Sequence, residues 1–235
     1  MRRGLILIIL CGCLVLLNAS TALGWSDRTH LAVGKAAQYE GWYNAAAADM
    51  ARLKFGATEG ANHWCNNSLG ADVTPSFVLE QVPQYNKASD SEGHLYGAII
   101  ASLRAYMRDR AAGKYSGHHL AFCAHYIGEL SMPLHNVVFD EVNASGHGAG
   151  DGTVELGVLN NIGLIQKEMY SIGIRDDAGL ASEIARVANA ARKLAAKLRD
   201  ENRAMTQDEA YTALSHSASL LRAVLAYANG NKGPF

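Results

Sequence analysis

Proline and cysteine are scarce, at four each in 235 residues, and aromatic residues make up only 8% of the chain. With 49% hydrophobic and 18% charged residues, this composition excludes disordered, collagen-like and many-span membrane chains. Neither charge sign dominates, since 21 basic residues face 22 acidic ones. That balance argues against a broad basic groove for duplex DNA and against a polybasic membrane anchor. Long hydrophobic runs are missing except at the start, where Leu5 to Leu17 follows Arg2 and Arg3 and is too short to span a bilayer comfortably. Ala22-Leu23-Gly24 then supplies a small-x-small cleavage pattern, so residues 1–24 read as a signal peptide and Trp25 as the new N-terminus. A rival lipoprotein-like cut lies at Leu10-Cys11-Gly12-Cys13. The expectation is a secreted or periplasmic monomer with no stable membrane span after cleavage. Export makes a bond between Cys65 and Cys123 permissible, and two unpaired buried thiols are equally open.

Strand-like alternation is nearly absent, and helical periodicity takes its place. Apolar residues recur at helical spacing over Thr29–Tyr39, Ala45–Phe55, His94–Ala112, His118–Met132, Val154–Tyr170, Leu180–Arg199 and Gln207–Ala228. Asn44 and Ser116 are candidate N-caps, Thr206 with Glu209 forms a capping box, and Asn229-Gly230 is a C-cap. A single all-α domain over residues 25–235 follows, with the last two long helices packed on the rest. The stretch from Gly56 to Gly93, rich in Asn, Gly, Asp and Pro, reads as a long irregular loop, of a kind that is usually functional or disordered.

What stands out is histidine, nine residues against four prolines. His125 and Glu129 are four apart on a helix, so they share a face and can grip one ion. Pro133 breaks that helix just before His135, and His147 and Asp151 form a second pair at the same spacing, interrupted by glycines that suit a loop. Imidazole and carboxylate together are ligands for zinc. His118 and His119 read as residues of the surface or of the layer just outside the ligands, and His216 as a hydrogen-bonded packing residue.

With Trp25-Ser-Asp-Arg-Thr-His30 at the expected mature start, the chain resembles the zinc-dependent phospholipase C and P1 nuclease superfamily over residues 25–151. The resemblance rests on Trp25 and His30, a loop Asp and His, then His125-x3-Glu129-x5-His135 and His147-x3-Asp151. It matches Asp72 and His94 to the loop pair through Gly-Ala-Asp72 and His94-Leu-Tyr, while Asp49 and His63 form a competing pair. It implies up to three zinc ions: one on Asp72, His94, His125 and Glu129; one on His135, His147 and Asp151; one on the Trp25 amine and carbonyl, His30 and Glu129. Asp72 is the implied catalytic residue, orienting or deprotonating a metal-bound water. The implied substrate is a phosphodiester, as in phospholipase C, with single-stranded nucleic acid as the alternative and a non-catalytic metal-binding protein as a third reading. One departure is Glu129, where the family normally has Asp bridging two zincs. Others concern the pocket walls. Choline-binding members have aromatics and an acid where this chain has Val73, Ser91 and Arg28. Nucleases have an aromatic directly after the loop His and an Asp two residues further on, against Leu95 and Gly97 here.

Overall fold

The computed structural model describes residues 25–68, 70–88, 90–141, 143 and 152–230. The signal-peptide segment 1–24 and the pair His147 and Asp151 lie outside the described residues. Within them the chain is all-helical, with no strand. The principal helices are α1 (Asp27–Ala36), α2 (Ala47–Phe55), α3 (Ala57–Gly60), α4 (Pro75–Gln81), α5 (Leu95–Ala111), α6 (Gly117–Leu130), α7 (Ile162–Lys167), α8 (Asp177–Asp200) and α9 (Gln207–Ala228). Short 3-10 turns cover Trp42–Asn44, Val82–Gln84, Pro133–Asn136 and Val158–Asn160.

The centre of the fold is α6, whose sequence is apolar on every side. A helix of that kind must be enclosed, and from Leu120 to Leu130 only Phe122 escapes full burial. The most extensive partner of α6 is α5, and α1, α2, α8 and α9 also contact it. The long C-terminal helices therefore pack on the His/Glu-bearing helix, as the periodicity from Leu180 onward suggests. Burying His125 and Glu129 is a consequence of this enclosure: they are the polar members of the enclosed stretch from Leu120 to Leu130, whereas His118 in the first turn is exposed.

Several ends follow the expected chemistry. Both arms of the Thr206–Glu209 capping box form. Asn229 is the C-cap of α9, and Gly230 takes a φ of 87°. Others differ. Asn44 falls in a 3-10 turn, and α2 starts at Ala47 with Ala46 in the cap position. Ser116 occupies the cap position of α6 but makes no side-chain cap bond. The expected helix over 154–170 is broken by Gly157 and the Asn160-Asn161 pair into turns, a 3-10 segment and the short α7. The stretch 56–93 is not a continuous loop, because Thr74 accepts from the Phe77 amide and Pro75 fills the first position of α4. Cys65 and Cys123 are buried free thiols. Gln81 donates to the Cys65 sulfur, and burial pushes the Cys65 thiol up to about 11 and that of Cys123 up to about 12.

Candidate metal centre

Five separate segments deliver side chains to one buried point beside α6. His30 comes from the first turn of α1. Ser26 makes no capping bond there; instead the Glu155 carboxylate accepts from the Arg28 and Thr29 amides at 3.0 Å each and from the Thr29 hydroxyl at 2.9 Å. A carboxylate at a helix N-terminus satisfies orphan amides and the helix dipole together, so α1 is pinned where it presents His30. The His30 ring then lies flat on His125, with centroids 3.9 Å apart and an interplanar angle of 20°. It also sits against the α6 backbone at Gly128, where any Cβ would come within 2.5 Å of His30 Nδ1. Glycine four residues after Ala124 is thus a requirement of the histidine, not of the helix.

His125 and Glu129 stand on one face of α6, as spacing requires, with His125 Nε2 at 3.3 Å from Glu129 Oε1. His125 Nδ1 is 3.0 Å from the Ala45 carbonyl. Donation to that carbonyl directs the Nε2 lone pair inward in the neutral ring. Pro133 ends the helical run, and Asn136 closes the turn by donating to the Leu130 and Met132 carbonyls. That turn brings His135 Nδ1 to 3.0 Å from Glu129 Oε2. Asp49 reaches in from α2, with Oδ1 at 3.7 Å from both His63 Nδ1 and His125 Nε2. His63, just after α3, places Nδ1 at 3.3 Å from His125 Nε2 and 3.6 Å from Glu129 Oε1.

The two Glu129 oxygens therefore face different neighbours. Oε1 is ringed by His30, His63 and His125, and Oε2 faces His135. Burial alone would raise the Glu129 carboxyl, but His135, His30 and His125 outweigh it and hold the group well below the usual range. Burial likewise opposes protonation of His125, yet the Asp49 and Glu129 carboxylates lift it to about 9. Side chains of His30, His63, His125 and Glu129 are at most 1% exposed, whereas Asp49 is 31% exposed and marks the open side of the cluster.

Ligand atoms of His30, Asp49, His125 and Glu129 all lie within 4.8 Å of one another, so the group could hold a metal ion. The donor set, imidazole and carboxylate, suits zinc. Hydrogen bonding points the same way. Both Glu129 oxygens and both His30 ring nitrogens are buried without a hydrogen-bond partner among the described residues. A buried carboxylate without hydrogen bonds depends on nearby positive charge, and a coordinated cation supplies it.

Not every residue singled out in the sequence is brought here. Asp72 is exposed on the loop before α4. His94 is fully buried but turned elsewhere, with Nδ1 at 2.8 Å from Asp90 and Nε2 at 2.8 Å from the Asn62 carbonyl oxygen. Of the two loop pairs, the structure gathers Asp49 and His63. The amphipathic look of 45–55 conceals Asp49, because only Ala48 of α2 is buried, Met50, Leu53 and Phe55 are exposed, and Asp49 reaches His125 on α6. Trp25 is buried, and its indole NH donates to the Ser131 hydroxyl at 3.2 Å, beside the end of α6. His119 pairs with Asp109 and His216 with the Tyr170 hydroxyl, in keeping with surface and packing roles. Glu59 is adjacent to His63 in the fold, and its spacing of four from that histidine is a usable sequence signal. Searches of protein-family models and of curated proteins give no match to this chain.

Proposed function

We propose that this protein is a zinc-dependent phosphodiester hydrolase centred on Glu129. The observation that carries the reading is a buried carboxylate whose two oxygens, neither hydrogen-bonded, face separate histidines. His30, Asp49, His63, His125, Glu129 and His135 would hold the metal. By the family resemblance, His147, Asp151 and the Trp25 amine would complete a set of up to three ions. Bound zinc supplies a water that ionises near neutral pH and a positive clamp for the phosphoryl oxygens. The chain's own part is to fix the donors and exclude bulk water with the enclosed face of α6. Asp49, the partly exposed member, takes the role that the sequence reading gave to Asp72: it orients the attacking water and accepts its proton. The test is hydrolysis of a chromogenic phosphodiester by zinc-loaded protein, with Asp49→Asn expected to lower the rate at least about 100-fold. A fully zinc-loaded protein without activity on any phosphodiester would instead support a non-catalytic metal-binding role.

The substrate's organic part depends on which loop pair is used. The phospholipase C-like expectation drew on the sequence flanking Asp72 and His94. With His63 in the cluster, the residue directly after the loop histidine is Trp64, which favours single-stranded nucleic acid as a second reading. Aromatic faces stack on bases of any sequence, each worth about 1–3 kcal/mol. The Trp64 indole is half-buried against Gly93, whose φ of 70° and absent Cβ leave room for it. Trp64→Ala should raise KM on a single-stranded oligonucleotide about tenfold while leaving the rate on a small chromogenic diester unchanged. Equal losses on both substrates would remove nucleic acid from consideration.

A further inference from the structure

Beyond the metal-facing residues, His63 has a second environment on its far side. Its Nδ1 looks into the cluster, while Nε2, which makes no hydrogen bond among the described residues, lies 3.5 Å from Oε1 of Glu59. Glu59 is a carboxylate only 3% exposed, and it is held rigidly. The Tyr126 hydroxyl donates to its Oε1 at 2.6 Å, and the Asn62 amide donates to its Oε2 at 3.2 Å. Asn62 is itself oriented. Its carbonyl oxygen is 2.8 Å from His94 Nε2 and accepts from the Asn86 backbone amide at 3.2 Å, and its amide group also donates to the Asn86 side chain at 2.9 Å. His94 is anchored in turn by Asp90.

A neutral imidazole carries one proton, and whichever nitrogen holds it cannot bind a metal. Carboxylates flank both ring nitrogens, Glu59 at 3.5 Å from Nε2 and Glu129 and Asp49 at 3.6 and 3.7 Å from Nδ1, and a proton on Nε2 is the arrangement that leaves the Nδ1 lone pair facing His125, Glu129 and Asp49. We infer that Glu59 is a positioning residue for His63, fixing its tautomer and ring orientation toward the metal site, with Asn62 and His94 bracing Glu59. Outer partners of this kind typically account for about 10–100-fold in metal affinity. The inference gives His94 a place in the chain: it is a brace three links away from the ligand His63. It also gives a reason for a charged group in a sealed core, where a carboxylate without such a role is a costly occupant.

The inference rests on the metal reading proposed above, and two measurements separate the two. The first is zinc affinity by competition with a chromophoric chelator for wild type and Glu59→Gln, which keeps size and a hydrogen-bond acceptor for Tyr126 but removes the charge. Zinc should bind the variant about 10–100-fold more weakly while its circular dichroism spectrum is unchanged. The second is the nitrogen-15 spectrum of the His63 ring in metal-free wild type, at a pH where that ring is neutral. A proton on Nε2 is expected. Unchanged zinc affinity in the variant, or a proton on Nδ1 in the wild type, would overturn the role of Glu59. If wild type takes up no zinc, the hydrolase reading fails and the tautomer still decides the role of Glu59. If Glu59→Gln does not fold, the wild-type tautomer decides it as well.

Discussion

Individual residues carry most of this site's logic, and a glycine shows it clearly. Gly128 separates Ile127 from Glu129 in a helix that would tolerate alanine on backbone grounds, yet a Cβ there would meet the His30 ring at 2.5 Å. Gly128→Ala should therefore push His30 off His125. Overpacking of this kind costs about 1–3 kcal/mol, seen as a lower thermal midpoint, and zinc affinity should fall with it. A variant with wild-type midpoint and affinity would show that His30 has room to move and is no tightly held donor. At this scale the sequence was partly legible. The His125/Glu129 pair is legible because helical spacing dictates where both point, whereas Pro133 signals only that His135 leaves the helical line. Choosing between Asp49/His63 and Asp72/His94 required knowing which loop folds back onto α6. No local rule encodes that, and resemblance of flanking residues favoured Asp72 and His94, the pair that the structure leaves outside the cluster.

Helices were read best where periodicity is long and capping chemistry is explicit. The last helix matches its expected limits, Gln207–Ala228, because Thr206 and Glu209 specify its start. Over 154–170 apolar spacing predicts one helix, but in the folded chain the glycines and asparagines win locally. Glu209 also provides a pH prediction. Arg203, Lys197 and the Thr206 cap hold its carboxyl well below the ordinary range. A depressed carboxyl stabilises the fold at pH values above its unfolded value of about 4.3, and that contribution is lost as pH falls toward the folded value. Glu209→Gln should lower the thermal midpoint at pH 7, and its gap from wild type should narrow progressively from about pH 5 down to pH 3. A gap that stays constant across that range would mean the ion pairs with Arg203 and Lys197 contribute nothing in solution, as many exposed pairs do.

The whole molecule works as an enclosure for one polar face. An apolar central helix is surrounded by α1, α2, α5, α8 and α9, and its His125 and Glu129 would be a liability inside that shell without histidines from distant parts of the chain. Those partners are spread from His30 to His135, which is why composition could suggest a metal and helical class but could not say which residues meet. Carboxylate Glu129 is the point on which everything converges. Metal content therefore tests the account most directly: zinc per chain, measured by atomic emission after reconstitution and dialysis, for wild type, His125→Ala and Glu129→Gln. At least one tightly held zinc per wild-type chain is expected, with most of it lost in both variants while the helical circular dichroism signal persists. A wild-type chain that retains no zinc, or two variants that retain it fully, would contradict a metal centre at Glu129.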